Sequence, residues 1–595
     1  MADSENLNEL VVTGLGMARF LKENGIQHVF GIPDGHTLAF YDGILATDGI
    51  EHILFNDERS AAFAADAYAR VTGMLGVCDA GSAGSMNFPV ALSEAKGSAS
   101  PVLAIAGTIK SKDMLRNIPH DINVEDTLKP ITKWTSKVLD AEYLPRFLSF
   151  AIKQATNGKT GPVALVLTED VIGSTRLKLK EFVPKVEGSC SINSCRTAPA
   201  RSEIDHAVRL IRLAEQPAIF TGGGAVISGA FQEIAELARI LKAPVFSTIS
   251  GKGIMVPKKN SEEGLYFGTV GLFGERPNHK FLRRKADLLI VVGNRLTEDD
   301  TANFKYPDQK IEMIQIDIDP GEIGLSYNPW GIVGDPKAAI FEIINKFRRK
   351  SIARPKEAVL PKAKAEYVKK ILENREKNLE WLRKQHKKYR EIDTEKWINS
   401  EPIKPQRILK AISDNFTEDD YLVTDASASS RWVGAYFPVK SLGRHIITPR
   451  GVGPTGFGVG ALIGTCIAVE MLYGKDNDVK KVLFTGDGGL MNGGINEFET
   501  IVKLGLDCTI VIINNSALGF IKFAQTFLYG KRYYNTERPQ TDFAKLAEAF
   551  GGKGIRVEKL ADLDDVIKSA INSKGFNLVD VIVDPNEILP PNFYI

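Results

Sequence analysis

Short runs of β-branched and other apolar residues alternate along this chain with Gly-containing turns and stretches of helical period. The alternation occurs in each third of the sequence. Strands that alternate with helices form parallel sheets covered on both faces, and their buried strands are nearly continuous apolar runs. The pattern therefore predicts an α/β protein with three doubly wound parallel-sheet domains. The predicted strands are 28–30, 75–78, 101–106 and 163–167, then 217–220, 244–248, 288–292 and 314–318, then 421–424, 445–448, 482–485, 509–513 and 578–583.

Changes in this pattern divide the chain into five segments. We expect an N-terminal domain over 1–182, a linker over 183–200, a central domain over 201–346, a basic helical connection over 347–404 and a C-terminal domain over 405–595. The linker is polar and aperiodic and contains several Ser and Pro residues. In the connection, apolar residues recur at helical spacing among Lys and Arg, which predicts an amphipathic surface helix. These residues are Val368, Leu372, Leu379 and Leu382.

The charge balance argues against a nucleic-acid or membrane partner. The 595 residues include 75 Lys and Arg against 73 Asp and Glu, a net charge of +2, so no overall field attracts a polyanion. Residues 346–391 are the exception, with 17 basic residues against 6 acidic ones, and nucleic-acid binding by this stretch is the non-enzyme alternative. The most apolar stretch, 456–471, is interrupted by glycines and is shorter than the roughly 20 apolar residues that span a bilayer.

Cysteine usage and the first residues predict a cytoplasmic protein. Five cysteines are few for this length and odd in number, which argues against a disulfide framework and for a reducing compartment. The start MADSENLNEL is polar and acidic, without the basic and apolar regions of a secretory signal.

The strongest chemical signal is a Gly-Asp-Gly turn followed, 25 residues later, by an Asn pair. The predicted strand 482–485, a helix over 492–503 and the strand 509–513 make one βαβ unit. Asp487 and Asn514 then emerge at the carboxyl ends of two parallel strands, where α/β sheets bind ligands. A carboxylate and an amide oxygen suit Mg²⁺, and the glycines allow backbone N–H groups to approach phosphates. The motif therefore predicts a metal–diphosphate site.

The stretch GDGGLMNGGINEFETIVKLGLDCTIVIINNSALGF resembles the cofactor motif of the thiamine-diphosphate-dependent enzymes typified by acetolactate synthase. That family also includes 2-oxo-acid decarboxylases and benzaldehyde lyase, and the resemblance extends over nearly the whole chain. It implies a pyrimidine-binding, a central and a pyrophosphate-binding domain, with thiamine diphosphate and Mg²⁺ as cofactors. The implied metal ligands are Asp487, Asn514 and the carbonyl of Ser516, and the implied cofactor contacts in this stretch are Gly486, Asp487, Gly488, Gly489, Asn514 and Leu518.

Three further stretches resemble the same family. FNDERSAAFAADAYAR is similar to the segment around its catalytic glutamate and assigns that role to Glu58. A carboxyl group beside N1′ of the aminopyrimidine would favour the imino tautomer, whose nitrogen removes the C2 proton of the thiazolium. RGVGPTGFGVGALIG resembles the stretch passing under the cofactor, with Gly453 and Thr455, and YLVTDASASSRW resembles the segment reaching the pyrophosphate, with Ser427.

Two histidines are candidate proton shuttles near the substrate. His36 is similar in position to an active-site histidine of benzaldehyde lyase-like members, and His120 lies near a position that contacts the substrate. Isolated histidines are more often surface or core residues, and this alternative stays open for both. A neutral imidazole beside a reacting carbonyl could move protons at pH 7.

The chain departs from the family pattern around the substrate. Thr455 stands where a bulky apolar residue is usual, and Gly460 replaces a proline. Ser82 and Ala83 replace Gly-Pro, and Thr108 stands where acetolactate synthases have glutamine. The stretch NRLTEDDTANF lacks the second arginine of the usual flavin-binding segment, so FAD, ADP or no ligand in the central domain all stay open.

The resemblance implies decarboxylation of a 2-oxo acid such as pyruvate and ligation of the resulting enamine to a second carbonyl. The alternatives on the same cofactor are simple decarboxylation, cleavage of a 2-hydroxy ketone or 2-hydroxyacyl-CoA, and hydrolysis of a cyclic dione. A dehydrogenase could be suggested by 222–224, but no GxGxxG with a distant acidic residue follows. The resemblance also implies a homodimer or homotetramer, in which Glu58 meets a cofactor held by another subunit.

Overall fold

The computed structural model describes residues 7–183, 195–257, 264–352, 362–587 and 589. It contains three six-stranded parallel sheets, each flanked by helices, together with a two-stranded antiparallel sheet. The α/β fold class predicted from the sequence, with three doubly wound domains, is confirmed.

The first sheet lies in the N-terminal domain and has the strand order β3-β2-β4-β5-β7-β6. A short antiparallel pair, β1 and β8, joins the two ends of this domain. The strands are β1 (Leu10–Val11), β2 (His28–Gly31), β3 (Glu51–Leu54), β4 (Gly76–Ala80), β5 (Val102–Thr108), β6 (Trp134–Val138), β7 (Val163–Thr168) and β8 (Leu177–Lys178). The helices are α1 (Thr13–Glu23), α2 (Leu38–Leu45), α3 (Glu58–Thr72), α4 (Phe88–Gly97), α5 (Val124–Leu128), α6 (Leu144–Thr156) and α7 (Glu169–Ile172).

The second sheet belongs to the central domain and has the order β11-β10-β9-β12-β13-β14. Its strands are β9 (Pro217–Thr221), β10 (Val245–Ser247), β11 (Tyr266–Thr269), β12 (Leu288–Val292), β13 (Glu312–Asp317) and β14 (Trp330–Val333). Its helices are α8 (Arg201–Leu213), α9 (Gly223–Ile227), α10 (Phe231–Leu241), α11 (Arg276–Arg284), α12 (Glu298–Thr301) and α13 (Pro336–Ile352).

A long helix, α14 (Lys362–Glu395), then packs against the central domain. Leu379 and Leu382 are buried in the core of that domain. The guanidinium of Arg375 donates to the carbonyls of Ala214 and Leu241 at 2.7 and 2.8 Å. A helix is present where the sequence predicts one, but its buried face is shorter than predicted, because Val368 is exposed.

The third sheet has the order β16-β15-β17-β18-β20-β19 and carries the predicted metal site. Its strands are β15 (Tyr421–Thr424), β16 (Ile446–Ile447), β17 (Lys481–Gly486), β18 (Cys508–Asn514), β19 (Lys553–Val557) and β20 (Phe576–Ile582). The helices are α15 (Pro405–Asp414), α16 (Ala428–Tyr436), α17 (Gly458–Tyr473), α18 (Asp487–Asn492), α19 (Phe498–Leu504), α20 (Gly519–Leu528), α21 (Phe543–Ala549) and α22 (Leu560–Ile571).

Central strands were easier to predict than edge strands. The five strands absent from the sequence prediction of the large sheets, β3, β6, β11, β14 and β19, all lie at sheet edges. Each has two or more positions that are only partly buried, unlike the central strands, which are buried at nearly every position. The helix predicted over 492–503 is wrong in its bounds, because Gly493 and Gly494 separate α18 from α19.

Helices α3 and α17 join the N-terminal and C-terminal domains of the same chain through close backbone contact. A Cβ atom at Gly464 would lie 2.1 Å from the carbonyl oxygen of Ala64, and one at Gly460 would lie 2.5 Å from that of Ser60. Glycine at 460, where the family usually has proline, therefore permits this approach.

Most of the predicted linker lies outside the described residues, and the domain boundaries stay predictions. In the part of the chain that the structure describes, no helix is long and apolar enough to cross a bilayer.

Candidate active site

Asp487 lies where β17 ends and α18 begins, at the carboxyl edge of the third sheet. Its side chain is almost fully buried, and this burial raises the pKa of Asp487 to about 6. Hydrogen bonding from the backbone N–H of Gly488, the charge of Arg538 and the N–H of Ala517 oppose that rise in pKa. A desolvated carboxylate of this kind is stabilised by a bound cation.

Asn514 ends β18, the strand beside β17, as the sequence predicted. Its Nδ2 donates to Oδ1 of Asp580 at 2.9 Å and to the carbonyl of Thr541 at 3.1 Å. The residue is 1% exposed. Its Oδ1 accepts from the N–H and the hydroxyl of Ser516 at 3.4 and 3.5 Å, so both ends of the Asn514 amide have protein partners.

The loop after Asn514 brings a second amide toward Asp487. The N–H of Ala517 donates to Oδ1 of Asn515 at 3.1 Å, and the same N–H also lowers the pKa of Asp487. Asn515 is half-buried. The carbonyl of Ser516 accepts from the N–H of Arg538 at 2.8 Å, which leaves one lone pair for another partner. Two oxygen-bearing side chains, the carboxylate of Asp487 and the amide of Asn515, thus face the same backbone N–H, that of Ala517.

The predicted glycines lie around this edge. Gly486 is the last residue of β17, and a Cβ atom on Gly488 would lie 3.2 Å from the side chain of Leu518. Gly489 packs against Asp425, where a Cβ atom would lie 3.1 Å from the carboxyl carbon. The structure therefore brings Leu518 to the same turn as the Gly-Asp-Gly motif.

Asp425 connects the three sequence stretches of the C-terminal site. Its carboxylate accepts from the N–H groups of Gly456 and Gly458, both at 3.0 Å, and from the N–H of Ala426 at 2.6 Å. Burial raises the pKa of Asp425 to about 6 against these hydrogen bonds. We did not single out this residue from the sequence, although it lies within the YLVTDASASSRW stretch.

Ser427, predicted to reach the pyrophosphate, precedes α16 with φ 68° and ψ −136°. This region of backbone space is strained for a residue with a side chain, and such strain is common at ligand-binding sites. The carbonyl of Ser427 accepts from the guanidinium of Arg431, a residue of α16, at 2.9 Å.

Gly453 and Thr455, predicted to pass under the cofactor, lie on a partly exposed loop. The N–H of Gly453 is occupied, because it donates to Glu94 at 3.0 Å. Thr455 is exposed, and its carbonyl accepts from Nδ2 of Asn492 at 2.6 Å. The loop therefore lies beside the C-terminal end of α18.

Glu58 is the first residue of α3 in the N-terminal domain. Its Oε2 accepts from Nδ2 of Asn87 at 2.8 Å, and a Cβ atom on Gly84 would lie 2.3 Å from its Oε1. The carboxylate is half-buried and thus faces the Gly-rich loop after β4.

His36 and His120 are brought together by the fold, with ring centroids 5.2 Å apart. Nδ1 of His36 lies 2.6 Å from Oδ1 of Asp34, so the carboxylate accepts the Nδ1 proton and Nε2 is the free ring nitrogen of the neutral form. The carbonyl of His120 accepts from Oγ of Ser82 at 2.6 Å. The sequence suggested the same role for both histidines but not their proximity. In the structure they are neighbours at the edge of the first sheet.

Comparison with known proteins matches all three domains to one family. The N-terminal TPP binding domain of the thiamine pyrophosphate enzymes matches residues 13–127, the central domain matches 204–343 and the C-terminal TPP binding domain matches 425–581. The chain belongs to the thiamine pyrophosphate enzymes. This thiamine pyrophosphate enzyme binds thiamine diphosphate and is acetolactate synthase-like.

Curated relatives of this thiamine pyrophosphate enzyme extend over nearly its whole length. The probable acetolactate synthase large subunit of Methanocaldococcus jannaschii is 30% identical over 580 residues, 96% of this chain and 91% of the relative. The probable acetolactate synthase large subunit of Methanococcus aeolicus is 31% identical over 585 residues, with 96% and 92% covered. Acetolactate synthase isozyme 3 large subunit of Escherichia coli is 27% identical over 583 residues, with 97% and 95% covered.

The central domain of this thiamine pyrophosphate enzyme has a large cavity at the carboxyl edge of its sheet. The cavity opens to solvent and reaches residues of the other two domains. Gly222–Gly224, Asn294 and Asp317 line it from the central domain. Burial raises the pKa of Asp317 to about 6. Such a cavity at the end of parallel strands is typical of a nucleotide site.

Proposed function

We propose that this protein is a carboligase that decarboxylates a 2-oxo acid such as pyruvate and joins the product to a second carbonyl compound. The observation that supports this best is the convergence of Asp487 and the 514–517 loop at one sheet edge, in a chain matched throughout by acetolactate synthase large subunits. Bound thiamine diphosphate supplies the carbanion and the electron sink for both steps.

The residues at the edge of the third sheet would hold Mg²⁺ and the diphosphate. We assign the carboxylate ligand to Asp487 and the amide ligand to Asn515, because Oδ1 of Asn515 and the carboxylate of Asp487 face the same donor. Asn514, the ligand predicted from the sequence, would instead support the strand end through Asp580. The carbonyl of Ser516 stays in the proposed set, since one of its lone pairs is free.

Glu58 would accept and return a proton at N1′ of the aminopyrimidine. Its half-buried carboxylate, with Asn87 as a hydrogen-bond donor, is compatible with that role. The proposed active unit is a homodimer or a homotetramer built from it, in which Glu58 serves the C-terminal domain of another subunit. Light scattering combined with activity measurements tests this, since an active monomer would contradict it.

His36 and His120 would move protons on the substrate. Nε2 of His36 is the free nitrogen, because Asp34 holds Nδ1. A second candidate function is cleavage of a 2-hydroxy ketone or 2-hydroxyacyl-CoA. The histidine pair favours it, because a nearby proton donor would protonate the enamine carbon before a second carbonyl compound could be joined to it.

We also propose that the central cavity holds a nucleotide, with FAD as the candidate. The glycines at the start of α9 would let its phosphates approach the backbone closely, and the carboxylate of Asp317, at the end of β13, would accept from ribose hydroxyls. Extraction of the purified protein, followed by absorption spectra and chromatography against FAD and ADP standards, tests this assignment. Protein purified without any nucleotide, and unable to bind either standard, would contradict it.

The protein's compartment and domain boundaries belong to the same proposal. We place it in the cytoplasm, because Cys78, Cys195, Cys466 and Cys508 are all free thiols.

The boundaries at 182, 200, 346 and 404 fall outside the three matched regions. Limited proteolysis with mass spectrometry of the fragments tests them.

The reaction is tested by product analysis. Wild-type protein with thiamine diphosphate, Mg²⁺ and pyruvate should release CO₂ and form about one acetolactate per two pyruvates, because positioning favours the second carbonyl over a proton. Acetaldehyde without acetolactate would favour a simple decarboxylase. Cleavage of 2-hydroxyacyl substrates without pyruvate turnover would favour the lyase.

The proposed metal site is tested by cofactor binding. The variant Asp487→Ala, assayed by calorimetry with Mg²⁺, should lose most of its affinity for thiamine diphosphate.

A further inference from the structure

A buried carboxylate of the N-terminal domain holds a loop of the C-terminal domain. Glu94, on α4, is fully buried. Its two carboxylate oxygens accept from the N–H groups of Gly451, Val452 and Gly453 at 2.8, 2.9 and 3.0 Å. Three consecutive backbone donors therefore converge on one side chain, in a nest that suits an anion.

The groups around Glu94 satisfy both oxygens of its carboxylate. The guanidinium of Arg70 donates to Glu94 at 3.1 Å and to the carbonyl of Thr448 at 2.7 Å. Arg70 also pairs with the buried carboxylate of Asp66, so one cation serves two anions. The loop N–H groups and the hydroxyl of Ser98, at 2.6 Å, compensate the remaining negative charge.

The loop packs so closely against α4 that only glycine fits at the contact. A Cβ atom on Gly97 would lie 2.5 Å from Cα of Gly451, and one on Gly451 would lie 2.3 Å from the carbonyl oxygen of Glu94. On the other side, Arg450 forms an ion pair with Asp299 of the central domain. The loop from 448 to 453 is thus held by both other domains.

We propose that Glu94 is a positioning residue for the cofactor, because it fixes the loop from 448 to 453 that leads into Thr455. This inference rests on the proposed function of that loop, which is to pass under the thiamine diphosphate. Glu94 acts on the cofactor only through the backbone of Gly451–Gly453. Both acceptor oxygens are required, since an amide would direct N–H groups at some of the same backbone donors.

The test is the variant Glu94→Gln, with Asp66→Asn as its matched control. Asp66 is also buried and pairs with the same guanidinium, but it reaches the loop only through Arg70, which holds Thr448 and not the N–H groups of 451–453. Hydrogen exchange of the cofactor-free protein, measured by mass spectrometry, should show at least about tenfold faster exchange at 451–453 in Glu94→Gln only. Calorimetry with Mg²⁺ should show roughly tenfold weaker thiamine diphosphate binding in Glu94→Gln and nearly wild-type binding in Asp66→Asn.

The two readouts separate the inference from the proposed function. Wild-type protein that binds no thiamine diphosphate would contradict the proposed function, whereas exchange at 451–453 would still report on the loop. Unchanged exchange and affinity in Glu94→Gln would overturn the inference alone, as would equal losses of affinity in both variants. If Glu94→Gln does not fold, Glu94→Asp, which keeps the charge but is one methylene shorter, should give intermediate exchange and affinity; wild-type values there would overturn the inference.

Discussion

Nδ2 of Asn514 donates to Oδ1 of Asp580 at 2.9 Å, and both residues are almost fully buried. The contact crosses from β18 to β20, the strand on the side opposite to β17. It turns the Asn514 amide toward the interior of the sheet. The next residue, Asn515, is then the amide that shares a backbone donor with Asp487.

The first prediction concerns these two amides. Asn515→Ala should weaken Mg²⁺-dependent thiamine diphosphate binding at least tenfold with little change in thermal stability, because it removes a half-buried ligand. Asn514→Ala should instead lower the free energy of unfolding by about 1–3 kcal/mol, because it leaves Asp580 without its buried donor. Calorimetry and thermal unfolding measure both. A stable Asn514→Ala protein that no longer binds the metal would restore Asn514 as the ligand.

The second prediction separates activation of the cofactor from its binding. Glu58→Gln should keep most of the affinity for thiamine diphosphate, because Glu58 lies in the N-terminal domain, away from the proposed metal ligands on the third sheet. It should slow exchange of the C2 proton of the bound cofactor by two or more orders of magnitude, roughly the contribution of a general acid–base group. NMR of quenched samples measures the H/D exchange. Asp487→Ala is the opposite control, since it should lose binding; undiminished exchange in Glu58→Gln would refute the role.

The third prediction concerns the histidine pair. His36→Ala and His120→Ala should each depress turnover by about 10²-fold or more while cofactor affinity changes little, because the two rings are neighbours in the N-terminal domain, away from the proposed metal ligands. His206→Ala is the control, since His206 stacks on Trp330 in the central domain. Steady-state kinetics and NMR of products measure the effect. Wild-type turnover in both variants would assign the two residues to a purely structural role.

The fourth prediction is a pH dependence of stability from Glu497. Burial raises the pKa of Glu497 to about 7 in the folded protein, despite hydrogen bonds from Thr500 at 2.8 Å and from the N–H of Asn56. The folded state therefore holds a proton more tightly than the unfolded state, whose carboxyl titrates near 4.5. The contribution of this group to stability is fully present below about pH 4.5 and is lost as the pH rises through about 7.

Glu497→Gln should remove that dependence. The variant should gain stability relative to wild type at pH 8, by at most about 3 kcal/mol, and the difference should shrink toward pH 5. Chemical unfolding at both pH values measures it. The exposed Glu499→Gln is the control. A Glu497→Gln protein that is equally destabilised at pH 5 and pH 8 would contradict the prediction.

The sequence alone determined the fold class, the central strands and the turn that carries Asp487. Buried parallel strands have nearly continuous apolar sequences. The order of strand, Gly-containing turn and helix determines which residues lie at the carboxyl edge of the sheet. Resemblance to the thiamine-diphosphate enzymes then supplied the cofactor and the candidate residues, and the family was confirmed by all three domain matches.

Only the tertiary structure decided which groups are neighbours. Five of the six edge strands of the large sheets were missed because they are less completely buried than the central strands. The choice between Asn514 and Asn515 depends on Asp580, more than sixty residues away. The sequence around Glu94 does not indicate its proposed positioning role. That role depends on the loop that begins 357 residues later and folds against Glu94. Such long-range contacts leave no local periodicity in the chain, so side-chain direction and hydrogen-bond partners had to come from the packed molecule.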